Sequence, residues 1–295
     1  MYVSEKPTTH PSTGLLSSKH QRQGSMVGSK IFFIGGSKEP STDLWILDTL
    51  SRNITKGPSM SVPQVKPKAA MGVIDGKVYV IESGGVAFFD GIFHEEEEEK
   101  IQVEVFDPKS ETWELAGQEN VRKTFFTLRW GASVEGNVYM VEFEDTSVYN
   151  PRETEGERLL QMVSVRLKHG RKDKFIDTVK RVCVVEDVLF AFFNGSGIMW
   201  FTTKLNVWRS LVDRDGKELF FYSVNSMVEY EGSFVVLYSD VIPNGFDVAV
   251  AKNVLCMFVS LDRAGETICG KIDWSGIVAT VPYSFCFLHC LSFSE

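Results

Sequence analysis

The feature that most constrains the fold is a short apolar segment that recurs along the chain after a turn containing an acid or glycine. Its copies begin at residues 28, 75, 135, 186 and 231, roughly 45 to 60 residues apart. They read GSKIFFIGG, DGKVYVIESGG, EGNVYMVEF, EDVLFAFFNG and EGSFVVLYSD. A period of this length is typical of the blades of a β-propeller rather than of helical repeats.

Each copy lies within a longer pattern of four apolar segments. The first two segments are joined by two-residue turns such as Asp75-Gly76 and Glu135-Gly136, which favour β-hairpins. In the second unit the third and fourth segments flank Asp107-Pro108, a pair that favours a turn. Four antiparallel strands repeated around a ring leave few exposed strand edges. The sequence therefore predicts an all-β propeller with five four-stranded blades.

A large aromatic ring recurs at one place in this pattern. Trp113 stands six residues after Asp107, and Trp208 stands six residues after Thr202. Ile54 takes the matching position in the first unit. We expect these side chains to lie on the fourth strands, where a tryptophan ring packs between neighbouring sheets.

The second unit carries a combination of motifs with a known counterpart. Its apolar strand ends in Gly84-Gly85, its turn reads Phe106-Asp107-Pro108, and Trp113 follows; the first unit supplies Gly35-Gly36. This order resembles kelch repeats. The wording of the second unit and the ending VPYSFCFLHCLSFSE resemble the plant F-box/kelch group over about residues 24–295. The resemblance implies a kelch propeller like the part of an F-box ubiquitin-ligase subunit that recognises protein substrates.

Both termini depart from that group. Residues 1–24 are polar, and we expect a disordered lead-in rather than an F-box, followed by a propeller over residues 25–295. Without an F-box we do not expect binding to a ligase adaptor. The strands after Ile277 resemble the inner strands of a sixth blade. We expect this blade to be partial, closed by the C-terminal strands, with outer strands supplied from the lead-in near Tyr2-Val3 or Leu15-Leu16.

Composition limits the classes of partner and compartment. The net charge of −8 argues against a general nucleic-acid binder, which needs a basic surface. The five cysteines form no obvious disulfide framework, so we expect a reducing compartment, the cytoplasm or nucleus. Organellar import is the alternative for the polar lead-in. The apolar stretch from Ile277 to Phe293 is interrupted by Pro282 and predicts buried strands rather than a membrane span.

No set of residues predicts catalysis. The chain has neither a Gly-x-Ser-x-Gly elbow nor a phosphate-binding glycine loop. Asp90 and His94 match half of the Glu-x-x-x-Asp-x-x-x-His iron motif of some plant kelch proteins, but Val86 stands in place of the Glu. We predict no catalytic residue, no metal and no cofactor. A small-molecule or metal-dependent kelch enzyme is the alternative.

Two further clusters have ordinary structural explanations. The run His94–Lys100 holds five consecutive glutamates, which like-charge repulsion favours as a solvated loop. Cys286 and Cys290 fall on one face of a strand and His289 on the other, so the three cannot converge on zinc. We expect buried thiols there.

The loops between strands 2 and 3 are long in the second unit (Ser83 to Lys100) and the fifth (Ser239 to Asn253), and they share one end of the ring with the connections between blades. Elaborated loops on a rigid scaffold commonly carry binding sites. We therefore predict a non-enzymatic protein-binding propeller that uses this end of the ring. The alternative is that the aromatic side chains of these loops close the blades as core. The candidate binding residues are Phe88, Phe89, Phe93, Arg122, Lys123, Phe125, Phe126, Phe220, Phe221, Tyr222 and Phe246.

Overall fold

The computed structural model describes most of the ring as β-strands joined by turns. The described residues are 24–35, 41–61, 69–83, 98–122, 130–142, 145–163, 165–168, 171–173, 178–219, 221, 223–242, 251–265, 267–285 and 287. Their strands form five sheets, each built on a meander of four antiparallel strands, and the sheets are arranged in a ring as blades 1 to 5. The predicted all-β propeller is confirmed.

Blades 1 and 2 are simple four-stranded meanders. Blade 1 contains β1 (Gly24–Val27), β2 (Lys30–Ile34), β3 (Leu44–Asp48) and β4 (Ile54–Lys56). Blade 2 contains β5 (Ala70–Ile74), β6 (Lys77–Ser83), β7 (Glu98–Asp107) and β8 (Thr112–Arg122).

Blades 3 and 4 follow the same order, and blade 4 is extended. Blade 3 contains β9 (Trp130–Val134), β10 (Asn137–Val141), β11 (Asp145–Tyr149) and β12 (Leu159–Val163). Two more strands, β13 (Val165–Lys168) and β14 (Arg171–Asp173), precede the meander of blade 4. That meander contains β15 (Val179–Val185), β16 (Val188–Phe193), β17 (Gly197–Thr202) and β18 (Val207–Ser210). β13 pairs in parallel with β18, so it covers the edge that β18 would otherwise expose.

Blade 5 corrects one prediction. It contains β19 (Ser226–Tyr230), β20 (Ser233–Val241), β21 (Ala251–Ala264) and β22 (Thr267–Pro282). β22 pairs with β21 up to Ala251↔Pro282. The segment from Ile277 to Pro282 thus belongs to the last strand of blade 5, and its assignment to the inner strands of a sixth blade is wrong. The other residues predicted for that blade, and the lead-in, lie outside the described residues, apart from the short stretch from Tyr283 to Phe285 and Phe287.

The tryptophans of the fourth strands lie between neighbouring blades, as predicted. Trp208 is 1% exposed, and its ring centroid lies 5.3 Å from that of Phe193 and 5.0 Å from that of Phe201. Trp113 packs 5.1 Å from Phe106, centroid to centroid, and its indole nitrogen donates to the carbonyl oxygen of Pro58 at 2.9 Å. Each ring therefore joins its own blade to the preceding one.

The first strands of the blades approach one another on the inside of the ring, with β5 against β9, β9 against β15 and β15 against β19. The approach is closest at Gly131, where an added Cβ would lie within 3.0 Å of the backbone of Met71. Only glycine allows two backbones to come this close. The inner wall of the ring is therefore tightly packed between blades 2 and 3.

Candidate functional site

The meander gives the ring two different ends. Because consecutive strands are antiparallel, the turns between strands 1 and 2 and between strands 3 and 4 of every blade lie at one end. We call this the turn end. The connections between strands 2 and 3 and between blades lie at the other, which we call the loop end.

The turn between strands 1 and 2 of blade 4 differs from its counterparts. In the turns of blades 2, 3 and 5 the second central residue is Gly76, Gly136 or Gly232, each at a positive φ. In blade 4 both central residues carry a side chain, Glu186 at φ 44° and Asp187 at φ 63°. A side chain makes the left-handed backbone costly, and backbone strain concentrates at functional sites. The turn at Asp187 therefore marks this part of the turn end as a candidate functional site.

A cleft of about 410 Å³ opens at the turn end between blades 4 and 5. This volume falls within the range of about 300 to 1,000 Å³ that binds small ligands or peptide side chains. The turns of blades 3, 4 and 5 contribute charged residues to it, while β17, β18 and β22 contribute side chains to its floor. The residues that matter for its chemistry are Glu135, Asp187, Trp200, Lys204, Arg209 and Ile268.

Arg209 lies opposite Trp200 in the pairing of β18 with β17. Its guanidinium carbon stands 5.7 Å from the centroid of the Trp200 ring, within range of a cation–π interaction. Trp200 is 5% exposed and packs in the core between blades 4 and 5, which fixes its ring. The Nε of Arg209 is buried and has no hydrogen-bond partner among the described residues. The guanidinium is thus held in place with a donor left unsatisfied, which is costly for a buried polar group.

Arg263, another cation in the cleft, is already engaged. Its Nη2 donates to the carbonyl oxygens of Val185 and Glu186, at 3.1 Å each, and lies 3.2 Å from Oε2 of Glu186. These contacts tie the end of β21 to the strained turn of blade 4. Arg263 therefore has a structural role in stabilising the wall of the cleft.

Lys204 lies exposed in the turn between β17 and β18. Within the described part of the chain its ammonium group forms no ion pair. Glu135 and Asp187 also line the cleft, so it presents carboxylates as well as cations. The arrangement suits a ligand with a single negative charge better than a highly charged anion, because the two carboxylates repel added negative charge.

Most of the predicted site residues fall on parts of the chain that the structure does not describe. Arg122 ends β8, and its backbone alone is described. Phe221 is 9% exposed and packs in the core between blades 4 and 5, as the core alternative expects. The loop-end site stays a prediction, and the residues outside the described ranges are Phe88, Phe89, Phe93, Lys123, Phe125, Phe126, Phe220, Tyr222 and Phe246.

The sequence pattern does not predict the cleft, because the tight turns between strands look like simple connections. One signal was present: Asp187 stands where Asp75-Gly76, Glu135-Gly136 and Glu231-Gly232 have glycine. The pairing of Trp200 with Arg209 also follows from the register of the β17–β18 hairpin. The approach of Arg263 from the next blade has no such local signal, since it depends on how two blades pack.

No three side chains among the described cysteines, aspartates and glutamates come close enough together to hold a metal ion, and all five histidines lie outside the described residues. The described part of the chain also contains no helix that is long and apolar enough to cross a membrane.

Comparison with known proteins identifies the family. The domain family described as FKB95, Kelch-repeats domain, matches residues 4–279. The chain belongs to this kelch-repeat family. The kelch resemblance of its second blade is thereby confirmed, and the match extends through the blades in which the kelch motifs are weaker.

Relatives of this kelch protein carry names that include an F-box. The Arabidopsis thaliana F-box/kelch-repeat protein At2g41360 is 34% identical over 286 residues, which cover 91% of this chain and 70% of the relative. The F-box/kelch-repeat protein At2g22030 of the same plant is 30% identical over 280 residues, covering 91% of this chain and 67% of the relative. The chain thus spans about two thirds of the length of these relatives and aligns with their kelch part.

Proposed function

We propose that this kelch propeller is a non-enzymatic protein-binding domain that holds a partner at one end of its ring. The observation that carries the proposal is the kelch-repeat family match over residues 4–279, because those repeats build the whole ring. By resemblance to F-box/kelch proteins, the bound protein is a substrate or target that the propeller selects. Recruitment of a ubiquitin ligase by this chain does not form part of the proposal.

The geometry supports binding at an end rather than on the side of the ring. Buried contacts such as the one between Trp208 and Thr146 fix adjacent blades side by side, which makes the ring a rigid scaffold for exposed turns and loops. At the turn end, the cleft between blades 4 and 5 offers the guanidinium of Arg209 beside Trp200 and the ammonium group of Lys204, neither in an ion pair with a described residue. At the loop end, the aromatic residues predicted from sequence remain the candidates.

The kelch enzyme is the second candidate, since a cleft of about 410 Å³ is large enough for a small molecule. It requires a reacting group or a metal in addition to a cleft. Bound metal and protein partners are separable observations, so one purification distinguishes the two functions.

The test is affinity purification from plant cells with three baits, followed by mass spectrometry and elemental analysis of each eluate. The baits are the wild-type chain, a loop-end variant, Phe88→Ala with Phe89→Ala, and a turn-end variant, Lys204→Ala with Leu205→Ala. We expect the wild type to recover a partner protein in near-stoichiometric amount and one of the variants to lose it. Recovery of no specific protein, with stoichiometric bound metal, would overturn the proposal in favour of the enzyme.

A further inference from the structure

We infer that the turn-end cleft binds an aspartate or glutamate side chain of the partner protein, and that Arg209 is the residue that pairs with its carboxylate. This inference rests on the proposed protein-binding function and names the chemistry that the function uses. It concerns the end of the ring opposite to the one predicted from sequence.

The Arg209 guanidinium is the donor that the cleft offers. Its carbon stands 5.7 Å from the centroid of the Trp200 ring, and none of its nitrogens has a hydrogen-bond or ion-pair partner among the described residues. An arginine held in this way presents its donors as a rigid fork, which matches the two oxygens of a carboxylate. Burial closes the Nε off from the cleft, so a carboxylate that enters would pair with the terminal Nη groups, and little side-chain entropy would be lost.

The acidic residues of the cleft do not supply the carboxylate that pairs with Arg209. Glu186 pairs with Arg263 at 3.2 Å. Glu135 and Asp187 belong to the cleft, yet neither forms an ion pair with Arg209 among the described contacts. No described carboxylate pairs with Arg209, and we infer that the complementary carboxylate comes from another molecule.

The charges that line the cleft limit the kind of anion that fits. Lys204 adds a second cation that forms no ion pair with a described residue, and the carboxylates of Glu135 and Asp187 lie in the same cleft. These two carboxylates repel a phosphate, with about two negative charges, more strongly than a carboxylate, with one. The cleft thus favours a carboxylate over a phosphorylated residue.

One exposed apolar side chain lies beside the cleft. Leu205 is 55% exposed, whereas Ile268 and Phe201, at 6% and 3%, belong to the floor of the cleft. Contact with apolar side chains next to the acid adds burial that a free small anion does not supply. The occupant that fits is an acidic residue flanked by apolar residues in a polypeptide.

The net charge of −8 affects the expected rate of association with an acidic partner. Long-range electrostatics do not attract an acidic partner to a chain of this charge. We therefore expect the affinity to arise from short-range contacts at Arg209, with an association rate that salt does not lower.

The experiment measures fluorescence anisotropy of a fluorescein-labelled nonapeptide, Gly-Ser-Ser-Leu-Glu-Leu-Ser-Ser-Gly, with the full chain. Matched peptides carry Gln or phosphoserine in place of Glu. We expect the Glu peptide to bind about tenfold more tightly than either, a difference of about 1.4 kcal/mol, because only the Glu peptide offers Arg209 a single carboxylate. Equal binding of the Glu and Gln peptides, or tighter binding of the phosphoserine peptide, would overturn the inference.

Variants locate the site. Arg209→Met should abolish the preference for Glu over Gln, and Arg209→Lys should retain part of it because it keeps the charge and loses the fork. Lys56→Met is the matched control, because it removes a cation of blade 1 that pairs with Asp43 far from the cleft in sequence. Peptide binding is compared only among variants whose thermal unfolding midpoint matches that of the wild type. An Arg209→Met chain that still prefers Glu would exclude the cleft as the site.

The inference and the proposed function fail in different ways. If an Arg209→Met bait keeps every partner that the wild type recovers, and the loop-end variant loses them, protein binding stands and the cleft assignment is overturned. If no bait recovers a specific protein, the proposed function itself is overturned, whatever the peptide result.

Discussion

The indole nitrogen of Trp208 in blade 4 donates a hydrogen bond to the hydroxyl oxygen of Thr146 in blade 3, at a distance of 3.0 Å. Both side chains are buried, Trp208 at 1% and Thr146 at 0% exposure. Trp113 makes the equivalent link from blade 2 towards blade 1 through the carbonyl oxygen of Pro58, but at an exposed position. A tryptophan at one position of the repeat therefore joins neighbouring blades. We expect its contribution to the stability of the fold to depend on burial.

Replacing Trp208 with Phe tests that dependence. The change removes the buried hydrogen bond and part of the ring, so we expect the free energy of unfolding to fall by about 2 kcal/mol. Trp113→Phe should cost less, because water can replace an exposed partner. Urea denaturation of both variants checks the order, and equal losses would show that the two interfaces are packed alike.

At the strained turn of blade 4 we expect a substitution that increases stability. Asp187→Gly should raise the free energy of unfolding by about 1 kcal/mol, because glycine adopts the φ of 63° without the cost of a side chain. The reverse change at the equivalent turn of blade 2, Gly76→Asp, should lower it by a similar amount, since open space around Gly76 leaves backbone strain as the main effect. Thermal unfolding of both variants measures the pair. A destabilised Asp187→Gly chain would mean that the Asp187 side chain makes contacts that outweigh its strain.

Gly131 tests the packing of the inner wall. An alanine there would meet the backbone of Met71, which cannot move aside without shifting β5, so we expect a loss of about 3 kcal/mol. Gly72→Ala is the control, because its added Cβ would meet the side chains of Ser133 and Val138. Side chains adjust more easily than a backbone, and the loss should be smaller. If Gly131→Ala were the milder change in a urea titration, blades 2 and 3 would be farther apart than described.

The buried thiol of Cys183 should make the free energy of unfolding depend on pH in the alkaline range. Burial of its thiol raises the pKa to about 12 from 9.0, and the charge of Glu229 adds to the effect. Between these values the unfolded chain releases a proton that the folded chain keeps, so this group lowers the free energy of unfolding as pH rises, by at most about 1.4 kcal/mol per pH unit. Cys183→Ala should therefore show a shallower decline in stability than the wild type between pH 9 and 12. Identical pH profiles would exclude a buried neutral thiol at this position.

The parts of the fold that were predictable depend on short-range patterns. Alternation of apolar and polar residues, with turns such as Asp75-Gly76, specifies hairpins because register and turn type are local. The offset of Trp208 from Thr202 likewise places the ring on the fourth strand. These features recur along the chain, so the repeat remains recognisable where one unit departs from the pattern.

The parts that were missed depend on contacts distant in sequence. The end of β22 pairs with Ala251, and no local pattern shows that this hairpin continues as far as Pro282. The parallel pairing of Val165 with Val207 is also not predictable from a hairpin turn, because no such turn connects the two strands. In the cleft, Arg263 reaches Glu186 only because blades 4 and 5 pack together. The sequence contained the components of the cleft, and their convergence required the packing of the ring.

Hydrogen–deuterium exchange of the chain, alone and saturated with the protein that it captures, tests most directly whether an end of the ring binds the partner. We predict slower exchange in the turns at residues 186–188, 202–205 and 263–265, with unchanged exchange in the outer strands β4 and β12. Protection confined to those outer strands, with both ends of the ring unaffected, would contradict the account.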